Sequence, residues 1–199
     1  LRIVDLQQKG NLLEAAKAKA IQLGDSLLEK IYDRAINQIF ELDKAQSEFN
    51  KEFRFGPEYT DRIKETTKSL NQYGVSIQDA AKAQTALVRT FTDFTMLNET
   101  AQDQLVESAA LAAELGVANQ DFAQGIQNAT KFMAQTSGQA AISMRELAAT
   151  AQALGVSQAK MAQDFAAAGP QLAKFGDMGV QVFKELAVVS KTTGLEIGK

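Results

Sequence analysis

The sequence predicts an all-α fold: an N-terminal long helix with a coiled-coil-like stripe, then glycine-punctuated helix-turn-helix repeats of about 40 residues. Three observations predict it. A short joint recurs as Tyr73-Gly74-Val75-Ser76, Leu115-Gly116-Val117-Ala118, Leu154-Gly155-Val156-Ser157 and Thr193-Gly194-Leu195-Glu196, with its glycines 42, 39 and 39 residues apart. Much of the apolar 45% is alanine, the strongest helix former. No stretch alternates β-branched residues with period two, as strands would. At each joint a helix runs into glycine, which takes the left-handed conformation that a side chain disfavours. The next apolar residue folds back on the last turn, and the small or polar one after it starts the next helix.

Charge density separates two parts. Residues 1–70 hold 12 Lys+Arg and 12 Asp+Glu, whereas residues 71–199 hold 9 and 12 in nearly twice the length. Proline cannot continue a helix and constrains the residue before it, so Gly56-Pro57 sets the boundary. The predicted organisation is a charged helical segment over 1–56 and Ala/Gln-rich repeats over 57–199, the repeats at 74–115, 116–154 and 155–193.

Within the first part, Asn11 and Glu14 read as a weak helix start, Gly24 as a helix end, and Ser26 with Glu29 as a capping box. Leu28, Ile31, Ala35, Ile39, Leu42, Phe49 and Phe53 then follow at three- and four-residue steps, with Gln46 as the polar interruption. Such a stripe either joins copies of the chain through a coiled coil or packs as an amphipathic helix inside one domain.

Beyond the proline, Thr60 is placed as the cap of a helix carrying Ile63, Thr67 and Leu70. Ser76 with Asp79 opens the next, whose inward stripe is Ile77, Ala80, Ala81, Gln84, Leu87, Phe91 and Phe94. Asn98 caps a return helix with Ala101, Leu105, Ala112 and Leu115 inward. The second unit carries Phe122, Ile126, Ala129 and Phe132, breaks at Ser137-Gly138 and returns through Met144, Leu147, Ala151 and Leu154. The third carries Met161 and Phe165, breaks at Gly169-Pro170 and returns through Phe183 and Leu186. Gly176 and Gly179 mark a kinked spot. Positions recur across the units: Leu105, Met144 and Phe183 stand eleven residues before a joint glycine. Leu147 and Leu186 stand eight before, where the first unit departs with Ser108.

Little in the sequence points to bond-making chemistry. There is no Cys and no His, which removes thiolate and imidazole chemistry and the usual zinc ligands. A net charge of −3 gives no reason to expect nucleic acid, whose partners are normally basic. No run of about eighteen apolar residues offers a membrane span. Gly194-Leu195-Glu196-Ile197-Gly198-Lys199 has three residues between its glycines where a phosphate loop needs four, and follows a helix, so it reads as a joint. Glu99, Asp103, Glu107 and Glu114 share one helix face, as a solvated face does far more often than a cation ladder. Arg89, Lys131, Arg145 and Lys160 read as isolated cations whose stems cover apolar surface. The expectation is a non-enzyme with no catalytic residue, metal or cofactor. With alanine supplying so much of the apolar content and only 7% aromatic, the composition implies no large, tightly packed core and leaves part of the burial to partners. The chain starts on Leu1 and stops just past a joint, and is read as a piece of a longer protein.

The texture of residues 71–199 resembles that of bacteriophage tail tape measure proteins. Ala112-Ala113-Glu114-Leu115-Gly116-Val117-Ala118, Ala151-Gln152-Ala153-Leu154-Gly155-Val156-Ser157 and Ser190-Lys191-Thr192-Thr193-Gly194-Leu195 are similar to that family's alanine-rich helices broken by glycine-apolar-small turns. The resemblance implies a virion protein of the tail lumen or baseplate, present in host cytoplasm during assembly, that sets tail length and leaves ahead of the DNA. It further implies a homo-oligomer (trimer or hexamer), with tail tube and baseplate hub proteins as partners. No specific nucleic acid is implied, and membrane contact only during ejection. The rival expectation is a soluble α-helical scaffold or adaptor that binds a protein partner through stacked hairpins. A membrane-active amphipathic segment is the third, and the helices lack the cationic face with Trp anchors that it favours.

Overall fold

The computed structural model describes residues 37–38, 40–45, 47–49, 51–53 and 58–194. The chain divides into two compact units, residues 1–60 and 61–199. Every regular element among the described residues is helical.

In the first unit the described residues between 37 and 53 are helical. Leu42 and Phe53 are half-buried and Phe49 is buried. The Phe49 ring stacks on Tyr59 with centroids 5.5 Å apart and lies 5.0 Å from the ring of Phe53. Phe49 thus packs within its own chain. Leu28, Ile31, Ala35 and Ile39, with the caps at Asn11 and Ser26, the end at Gly24 and the Gly56-Pro57 break, lie outside the described residues.

Seven α-helices follow: α1 (Glu58–Leu70), α2 (Ile77–Thr90), α3 (Glu99–Glu114), α4 (Asn119–Phe132), α5 (Ser137–Leu154), α6 (Gln158–Leu172) and α7 (Gly179–Thr193). Short 3-10 turns stand at Asn71–Tyr73, Phe94–Met96 and Ala173–Met178. From α2 onward, each helix packs against those one and two places along the chain. One layer is therefore α2, α4 and α6, and the other α3, α5 and α7. Alanine's small side chain permits this close layering, but the bulk comes from phenylalanine. Phe91, Phe94, Phe122, Phe165 and Phe183 are all fully buried. The second unit buries these five rings within itself and leaves other large apolar side chains exposed, Phe132, Ile142 and Phe175 among them. Phe165 of α6 meets Phe183 of α7 edge to face, centroids 5.2 Å apart.

Several local expectations are corrected. Thr60 lies buried inside the first turn of α1 rather than capping it. Phe91 and Phe94 lie past the end of α2, in the turn to α3, though both point into the core. Leu115, Phe132 and Leu186 are exposed rather than inward. The bend between α4 and α5 falls at 133–136, ahead of Ser137-Gly138. There Thr136 and Gln139 form a capping box that draws Ser137 and Gly138 into the first turn of α5. Gly169-Pro170 does not break α6, which runs on to Leu172. The interruption comes at Gly176, the one residue of the following 3-10 segment with non-helical angles (φ 52°, ψ −128°).

The continuity of α6 has a chemical cause. Pro170 has no N–H, so the Ala166 carbonyl one turn back lacks its helical donor. Asn128 of α4 supplies one: its Nδ2 donates to the Ala166 oxygen at 2.8 Å. Its Oδ1 accepts from Gln124 Nε2 at 2.9 Å. Gly169 makes room, since a Cβ there would lie 2.0 Å from Asn128 Nδ2. Gly125 likewise lets α4 approach its neighbours, a Cβ there falling 2.5 Å from Met144 Sδ.

Candidate functional site

The four joint glycines sit at helix or turn ends with φ of 93°, 83°, 62° and 74° at Gly74, Gly116, Gly155 and Gly194. At two of them the paired bonds of a Schellman motif close the helix. Gly116 N–H donates to Ala113 O and Val117 N–H to Ala112 O, at 2.9 and 3.0 Å. Gly155 N–H donates to Gln152 O and Val156 N–H to Ala151 O, at 3.1 and 2.9 Å. Gly194 makes a single bond to Ser190 O at 2.8 Å. Starts are equally local. Ser76 and Asp79 form a reciprocal capping box, and the Asn98 side chain accepts from Ala101 N–H at 2.9 Å. Residues 195–199, and with them the end of the glycine-lysine segment, lie outside the described residues.

Of the α3 carboxylates read as a solvated face, Asp103 and Glu107 are bonded to α1, and of the cations read as isolated, Lys131 and Lys160 are paired. The buried Arg62 of α1 donates to Asp103 of α3, and Ser69 Oγ donates to Glu107 at 2.7 Å. Lys131 of α4 reaches Asp93 in the α2–α3 turn at 2.8 Å, beside Gln127, whose Oε1 accepts from the Thr92 N–H. The hydrogen bond from Lys131, then its charge and the Thr92 hydroxyl, hold the Asp93 carboxyl below the usual aspartate range. Lys160 pairs with Asp164 one turn on, and Lys184 of α7 with Glu146 of α5. Among the described residues no group of three or more metal-ligating side chains gathers, and no helix is long and apolar enough to cross a membrane.

What the second unit does present is a mostly apolar groove of about 730 Å³ between α3 and α5. That volume lies in the range of ligand and side-chain sites, roughly 300–1,000 Å³. Leu105, Phe122, Met144 and Leu147 give it apolar walls, and Tyr73, Leu115 and Ile142 stand exposed where it opens. Glu107, Glu114 and Arg145 add charge.

The groove follows from side-chain size. On α3 the residues facing α5 include Ala101, Ser108 and Ala112; on α5 those facing back include Gly138, Ala141 and Ala148. One step along, between α5 and α7, Leu147 stands where α3 has Ser108, and Val180 where α5 has Ala141. Leu147 and Val180 are both buried, and Leu147 also walls the α3–α5 groove. Small side chains on both helices therefore line the α3–α5 groove. The departure at Ser108 was the visible signal. Its meaning required knowing that α3 lies against α5.

No family model, curated protein or solved structure matches the chain.

Proposed function

We propose that this chain is a structural segment of a bacteriophage tail tape measure protein, built of repeated helical hairpins and active through length and assembly. The observation that carries the reading is the regular spacing of left-handed glycines that end helices. The interhelical bonds support it. Ser69–Glu107, Asp93–Lys131, Asn128–Ala166 and Glu146–Lys184 each join residues 38 apart, one short of the 39-residue glycine period. Such a repetition is expected when each hairpin docks on the last in a similar way. In this reading the N-terminal stripe holds a trimer or hexamer together, tail tube and baseplate hub subunits are the partners, and the virion is the location.

Magnitudes decide how such a segment would measure length. A single extended helix advances about 1.5 Å per residue, so residues 116–154 would span roughly 60 Å. Stacked hairpins advance by only about 8–10 Å per layer. The folded hairpins are then the compact form, and the glycine joints are where they open into a ruler. Deleting residues 116–154 from the parent protein and measuring tails by electron microscopy tests this. A shortening near 60 Å is expected; tails of unchanged length would refute the ruler role.

The α3–α5 groove favours a second reading, a helical adaptor that binds a protein partner. Affinity capture of tail tube or hub subunits by the chain distinguishes the two. Binding that survives filling the groove belongs to the tail reading.

A further inference from the structure

We propose that the α3–α5 groove receives an amphipathic helix of a partner protein, with an apolar ridge, carboxylates along one edge and cations along the other. The proposal rests on reading the groove as a partner site and adds the chemistry of that partner.

The bonds between helices carry the argument. Asp93–Lys131 and Glu146–Lys184 each set a carboxylate 38 residues before a cation. Glu107 and Arg145 are also 38 apart, carry the same charges in the same order, and both line the groove. Glu107, however, accepts from Ser69 of α1. Arg145 is exposed and pairs with no carboxylate among the described residues. Where the repeat calls for an ion pair, the groove instead offers a guanidinium beside apolar walls. Its planar fork of donors fits a carboxylate, and one from outside the chain would complete the pair.

The facing wall has the opposite sign. Glu114 of α3 is exposed and has no cation partner among the described residues, and Glu107 lies two turns before it. An occupant is therefore matched when its edge along α5 is acidic and its edge along α3 is basic. The walls also suit a helix. Ala101, Ser108 and Ala112 on α3 and Gly138, Ala141 and Ala148 on α5 are small, which lets a third helix approach the pair closely. Leu105, Met144 and Leu147 offer apolar contact to a ridge of residues three and four apart.

Fluorescence anisotropy of labelled synthetic peptides on the full chain tests the proposal. The probe is a four-turn helix with a leucine ridge, glutamates along one edge and lysines along the other. Two comparison peptides carry lysine on both edges or glutamate on both, and each should bind the native chain about three- to tenfold more weakly. In Arg145→Glu both walls become acidic, so the order should invert and the peptide with two lysine edges should bind tightest. Ser108→Leu, which fills the groove, should abolish binding of every peptide with helical content unchanged. Ile142→Glu, on the exposed rim, serves as a second groove variant in case added volume at Ser108 disturbs folding. Binding that the groove variants abolish but that ignores peptide charge and Arg145→Glu would overturn the proposal while keeping the groove as a partner site. Absence of binding by all three peptides, or binding that both groove variants leave unchanged, would overturn the partner-site reading with it.

Discussion

Pro170 shows how a helix tolerates a residue that ordinarily interrupts it. The carbonyl left without a donor at Ala166 is satisfied from α4 by Asn128, and Gly169 leaves the space through which that side chain reaches it. The three residues act together, so their effects should not add. Asn128→Ala removes the donor from a buried carbonyl and should lower stability by about 1–3 kcal/mol. In a Pro170→Ala background the restored N–H at 170 satisfies the same carbonyl, and the cost of Asn128→Ala should fall by about 0.5–1 kcal/mol. Urea unfolding of the four proteins measures the coupling. Equal costs in both backgrounds would show that Asn128 matters only as volume. Read as a sequence, Gly169-Pro170 announces a break, because the residue that prevents one lies in another helix.

Helix ends divide into those the chain announces and one it does not. Gly155 has φ of 62° with nothing within 4 Å of where a Cβ would stand. Its demand is therefore purely conformational, and Gly155→Ala should cost about 1 kcal/mol. The joint glycines were legible for that reason: one residue type takes the left-handed region cheaply, and its spacing survives in the sequence. The α4–α5 turn was not legible. Its left-handed residue is Ala134 (φ 53°), while the nearby Gly138 belongs to the first turn of α5. Ala134→Gly relieves that strain against a somewhat larger loss of chain entropy, and should raise stability by up to about 1 kcal/mol. Thermal unfolding of the two variants should shift in opposite directions; a loss of stability in Ala134→Gly would show that the turn carries no strain. The capping residues Ser76 and Asn98 were legible because their partners lie three residues away, and the inward stripes because burial follows helical period. The groove was half legible: Ser108 stood out as a departure, but only the α3–α5 contact makes a missing leucine into a cavity.

Packing between near neighbours in the chain has a consequence for how the second unit comes apart. In such an array stability is approximately a sum over each element and the interfaces it shares, so a helix with fewer neighbours opens at lower free energy. α4 packs on α2, α3, α5 and α6, whereas α7 packs on α5 and α6 and leaves Leu186, Val188 and Val189 in solvent. Phe183, buried against Phe165, is the chief large side chain that anchors α7. Native-state hydrogen exchange at low concentration should therefore find the strongest protection in α4 and markedly weaker protection in α7. A single all-or-none unit would instead give the slowest amides of every helix the same opening free energy, and that result would refute neighbour-by-neighbour stability.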